Sequence, residues 1–110
     1  MKVYLNMPFN NSDSEKEQEN IQRACAIAVD IRKHFPNITL FVPQEKPSWG
    51  EKVQVRAHLI RNSNLILSIG QESPDMEVSS QIATLANIPQ LEFEEFEDTE
   101  KQILAEFLSR

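Results

Sequence analysis

Glycine is scarce in this 110-residue chain, with Gly50 and Gly70 the only two. That scarcity argues against a glycine-rich phosphate loop. A single cysteine excludes an internal disulfide. Cys25 lies between Ala24 and Ala26 in a helical pattern and reads as a small buried thiol, which fits a cytosolic setting. No apolar run approaches the roughly 18 residues of a membrane span. The chain opens on a strand-like segment, Lys2 to Met7, without the zones of a signal peptide. A cytoplasmic location and no membrane partner are therefore expected.

Excess positive charge is also missing. The formal net charge is −6, so duplex nucleic acid is not an expected partner, because a phosphate backbone demands a basic footprint. Much of the acid gathers in Glu92, Glu94, Glu95, Glu97, Asp98 and Glu100, which read as a solvated face and a helix start. Lys46, Lys52, Arg56, His58 and Arg61 gather in the middle third. They suit either a small anion or, more simply, a solvated helix face. His34 and His58 fall on different helices without ligand spacing, so no metal is expected.

What is present is alternation. Hydrophobic residues make up 40% of the chain, enough for one core and one domain over residues 1–110. The runs Val3–Met7, Ile38–Val42 and Leu65–Ile69 are nearly continuous, as in strands buried on both faces. Gln90–Phe93 alternates apolar and acidic residues, which suits an edge strand. Between them lie four helical patterns. The first starts near Ser12 or Ser14, where Ser12 with Glu15 and Ser14 with Glu17 fit a capping box. It turns Ile21, Ala24, Ala28, Ile31 and Phe35 inward and ends at Pro36. The second runs from about Gly50 to Asn62 with Val53, Ala57 and Ile60 inside. The third opens on Ser73-Pro74, a cap followed by proline at the first helical position. Its inner face is Met76, Ser79, Ala83 and Ala86. The fourth starts near Asp98 or Thr99 and buries Ile103, Leu104 and Phe107.

Such alternation implies an α/β fold, a small parallel sheet of four strands in a flavodoxin-like or Rossmann-like three-layer sandwich. Strand order 2-1-3-4 is expected. It puts a topological switch between strands one and three, where such sheets bind ligands at their carboxyl ends. Met7, Pro8, Phe9, Asn10, Gly70, Gln71, Glu72 and Ser73 fall there. A receiver-type phosphoacceptor is excluded, since Ile69-Gly70 ends strand three. A flavin phosphate loop is excluded by Met7-Pro8-Phe9-Asn10-Asn11. Neither a dinucleotide fingerprint nor a Walker loop occurs, and no cofactor is expected. Carboxylates remain. Asp75 and Glu77 fall in the first turn of the third helix, where the helix dipole favours negative charge. The same placement stabilises a helix and prepares a nucleophile for an electrophilic sugar carbon.

Lys2-Val3-Tyr4-Leu5-Asn6-Met7-Pro8-Phe9 resembles the opening of nucleoside 2-deoxyribosyltransferases. Ile60–Leu67 is similar to that family's helix end and third strand. Ser73-Pro74-Asp75-Met76-Glu77-Val78-Ser79-Ser80-Gln81-Ile82-Ala83, followed by Ile88-Pro89, resembles the segment in which a glutamate opens a helix. In that family and the related deoxynucleoside monophosphate N-glycosidases this glutamate attacks the anomeric carbon, and Glu77 matches it. The resemblance implies a retaining, two-step reaction on a nucleoside or nucleotide. It assigns Glu77 as nucleophile, Tyr4 to orient it and Asp75 to handle the proton of the departing base. Met7, Pro8, Phe9, Asn10 and Gly70 would line the substrate site, and Ser73 would hold a 5′-phosphate at the helix start. It also implies a homo-oligomer, one subunit completing the next one's pocket. The family's glycine before proline is Met7 here, and an alanine after the glutamate is Gln81. These departures suit a non-catalytic relative that binds a nucleotide-derived molecule. An interaction module using the acidic C-terminal third is a further alternative.

Overall fold

The computed structural model describes residues 1–9, 11–46 and 52–110. In chain order the elements are β1 (Lys2–Asn6), α1 (Ser14–His34), β2 (Thr39–Phe41), a 3-10 turn (Pro43–Glu45) and α2 (Val53–Arg61). Then follow β3 (Leu65–Ile69), α3 (Pro74–Leu85), β4 (Gln90–Phe93) and α4 (Asp98–Leu108). The four strands are all parallel in the order β2-β1-β3-β4. Tyr4 lies opposite Phe41 on one side and Ile66 on the other, and Asn6 lies opposite Ser68. Strand-helix alternation predicts this parallel α/β architecture, and the order agrees with the flavodoxin-like 2-1-3-4 expected, which alternation alone does not fix. Among the described residues, no helix is long and apolar enough to cross a membrane.

Side chains alternate across the pleat, so each strand feeds both faces. Val3, Leu5, Leu65, Leu67 and Ile69 pack with Ala24, Ala28 and Ile31 of α1 and Leu104 of α4. Tyr4 and Ile66 point the other way, against Ile60 of α2 and Ala83 of α3. Alanine at the contact lets α3 approach the sheet closely. Asn6 Nδ2 reaches the Met76 carbonyl at 3.1 Å and the Ser68 hydroxyl at 3.0 Å. The edge strand β4 carries an exposed Glu92 and runs into exposed Glu94 and Glu95.

Several expectations shift in detail. The N-cap of α1 is Asp13, whose carboxylate accepts from Glu15 N at 2.9 Å, so neither serine capping box leads the helix. A carboxylate is the stronger acceptor at the positive end of the helix. Glu97 and Glu100 form the reciprocal capping box of α4 instead. The expected Gly50 start of the second helix lies outside the described residues. Val53, its first described helical residue, is exposed, and Arg56 joins Ala57 and Ile60 inside. Position 53 shares the helix face of 56, 57 and 60, so its exposure follows from its place as the first residue of α2 rather than from register. Ile103 is likewise exposed while Leu104 is fully buried. Cys25 is partly exposed rather than buried, and desolvation, then Glu45, pushes its thiol pKa up.

Candidate functional site

The end of β1, the 3-10 turn, α2 and the start of α3 converge on one narrow crevice. Its lining includes Tyr4, Asn6, Met7, Phe9, Gln44, Arg56, Asp75 and Ser79. The sheet delivers Tyr4 and Asn6 because alternate β1 residues face α2 and α3. Helix α3 delivers Asp75 and Ser79 one turn apart, so both share a helix face. Ser73 fixes where that helix starts, accepting from Met76 N at 3.4 Å.

The polar groups hold one another. Phe9 N donates to Asp75 Oδ2 at 3.2 Å, tying the loop after β1 to α3. Arg56 Nη1 donates to the Asp75 carbonyl at 3.3 Å, and Ser79 Oγ donates to the same carbonyl at 3.3 Å. Gln44 Nε2 donates to the carbonyls of Met7 at 3.1 Å and Pro8 at 3.3 Å. Tyr4 is 1% exposed. Burial pushes its phenol up to about 12, outweighing nearby Arg56 and a hydrogen bond with Ser79, while Asp75 adds to the rise. The phenol therefore stays protonated at neutral pH. Free volume in the crevice is about 10 Å³, close to the least that admits one water.

Of the residues expected at the site, Tyr4, Met7, Phe9 and Asp75 line this crevice. Pro8 contributes its carbonyl to Gln44, and Asn10 lies outside the described residues. Gly70 borders the neighbouring depression with Ser68, Glu72, Met76, Ser80 and Glu92. Its φ of +102° is the reason for glycine there, since an added Cβ would meet Arg23 and Pro8 only at ordinary distances of 3.6 and 3.7 Å. Ser73 is a helix cap that does not line the crevice.

Glu77 is placed elsewhere. It is exposed, on the outer side of α3, in a shallow depression with Glu72, Ser80, Gln81, Thr84 and Leu85. The expectation of a single site holding Glu77, Tyr4 and Asp75 is thus corrected: the structure brings Tyr4 and Asp75 together and sets Glu77 apart. The helix period accounts for this. Asp75 and Ser79, four apart, face the sheet, and Glu77, midway between them, faces away.

Sequence reasoning did not place Asn6, Gln44 or Ser79 at the site, and it named Arg56 only among five basic residues suited to a small anion or a solvated helix face. Arg56 had a readable signal, a cation at helical spacing from Ile60. Gln44 had none, because its role depends on a single 3-10 turn. Among the described residues, no group of three or more His, Cys, Asp or Glu side chains is disposed to hold a metal. In comparisons with protein-family models, with curated proteins and with solved structures, the chain has no match.

Proposed function

We propose that this chain binds a nucleotide-derived small molecule between the carboxyl end of β1 and the start of α3, without chemistry at Glu77. The observation that carries the reading is the gathering of Tyr4, Arg56, Asp75 and Ser79 between the end of β1 and the helix that follows β3, beside the point where strand order reverses. Reversal points are where open parallel sheets take ligands. The tight floor accepts a single protruding group, and the rest of the ligand lies across the mouth, beside Phe9 and Pro43. Thermal-shift screening against nucleosides and their 5′-monophosphates tests this. A rise in Tm that persists in Glu77→Ala and disappears in Asp75→Asn is expected. No shift with any member of the panel would remove the reading.

A second reading, N-glycosidic cleavage or deoxyribosyl transfer, is favoured by the sharing of one crevice by the Asp75 carboxylate and the Tyr4 phenol. Here the sugar lies across the mouth of the crevice, and Asp75, not Glu77, bonds to the anomeric carbon as the base leaves with its electron pair. Water or a second base then takes the sugar and restores the carboxylate. Chromatography of deoxynucleosides and their monophosphates after incubation decides it: base release lost in Asp75→Asn and kept in Glu77→Ala supports this reading, and its absence in wild type ends it. Under either reading the working form is a homo-oligomer, supported by Val53, Val78 and Leu85 standing exposed on α2 and α3. Light scattering of the purified chain checks the assembly.

A further inference from the structure

Two residues that line the crevice each carry a buried polar atom with no hydrogen-bond partner among the described residues, and the two atoms are of opposite kind: Arg56 Nε, a donor, and Gln44 Oε1, an acceptor. Arg56 is only 9% exposed and Gln44 only 4%. Both line the same hollow. Burying a guanidinium with one long hydrogen bond is costly, and so is leaving an amide oxygen dry. The orientation of the Gln44 amide follows from its surroundings. Both neighbours of its nitrogen, the Met7 and Pro8 carbonyls, can only accept, so the oxygen is turned the other way.

A bare oxyanion would satisfy Arg56 but set its lone pairs against those of Gln44. A methyl group would satisfy neither. An amino cation would suit Gln44 and be repelled by Arg56. A hydroxyl accepts one hydrogen bond and donates another, and its oxygen is the size of the one water for which there is room. We propose that this floor is a hydroxyl-recognition subsite, in which a ribose hydroxyl of the ligand accepts from Arg56 Nε and donates to Gln44 Oε1. The proposal rests on the small-molecule reading above and adds a selectivity: hydroxylated sugar over the dideoxy form. Sites that hydrogen-bond a substrate hydroxyl discriminate strongly against the analogue lacking it, because their own buried groups are left unpaired.

The test is calorimetric titration of the wild-type chain with adenosine, guanosine, cytidine and uridine 5′-monophosphates and with their 2′,3′-dideoxy counterparts. Removing the hydroxyls should weaken binding of the preferred base at least about tenfold. Arg56→Met should bring the ratio close to one, and so should Arg56→Lys, which keeps the charge and loses the planar Nε donor. The second variant, with the wild-type ratio itself, serves if the first does not fold. Equal or tighter binding of the dideoxy form by wild type overturns the subsite and leaves the small-molecule reading standing. A tenfold ratio that survives in both variants also overturns it. Binding of neither series overturns the subsite and the broader reading together.

Discussion

The two faces of the sheet are built on different terms. Against α1 and α4 the buried set is wholly apolar, running from Val3, Leu5 and Leu67 to Ile31 and Leu104. Against α2 and α3 the buried apolar set shrinks to Tyr4, Ile60, Ile66 and Ala83. Asn6, Arg56, Ser68 and Ser79 are buried there with them. Apolar burial stabilises at about 25 cal/mol per Å², while buried polar groups return little net stability and penalise any missing partner. One face therefore holds the fold together, and the other maintains a set of aimed polar groups. The same strands serve both, since alternate residues of β1 and β3 face opposite layers.

The sharpest way to break this contrast is Leu67→Ala, which empties the centre of the apolar face. A loss of about 2–5 kcal/mol is expected, read from the urea midpoint. Next comes Tyr4, whose phenol pKa is pushed by burial from an ordinary 10.0 up to about 12 in the folded chain. The unfolded phenol ionises first, so the folded chain alone keeps the proton between those values. The stability contributed is complete below about pH 10 and lost by about pH 12, a fall of about 2–3 kcal/mol. Tyr4→Phe should abolish that fall, measured as the difference between the two proteins' urea midpoints at pH 9 and pH 12. Asn6→Leu leaves the Met76 carbonyl and the Ser68 hydroxyl without its amide. We expect a cost of about 1–3 kcal/mol and faster amide exchange at the start of α3. Glu77→Ala should move stability by less than about 0.5 kcal/mol, the ordinary range for a surface position. A larger loss in thermal melts would mean that the outer side of α3 is covered in the working protein.

The layering was legible because it is written in short-range pattern. Continuous runs such as Leu65–Ile69 mark strands with two buried faces, and the Ser73-Pro74 pair marks where α3 begins. The expected strand order also agrees with the sheet. The crevice was legible as a place but less so as a list. Tyr4 and Asp75 belong to it, whereas Glu77 does not, because two residues along a helix is about half a turn and reverses the direction faced. Arg56 was hidden by its charge. A cation among Lys52, His58 and Arg61 looks solvated until the register of α2 is known, and that register is set by tertiary packing on Ile60. Gln44 depends on a turn three residues long, too short to leave a periodic trace.

The outer strand β4 has one further effect. Its free edge offers backbone groups on which another chain could extend the sheet. Glu92 stands exposed on that edge, and Glu94 and Glu95 follow directly. Two copies meeting there would bring like charges into register across a new ladder, where each close pair is unfavourable. Ribbon growth through this side is opposed by the strand's own side chains.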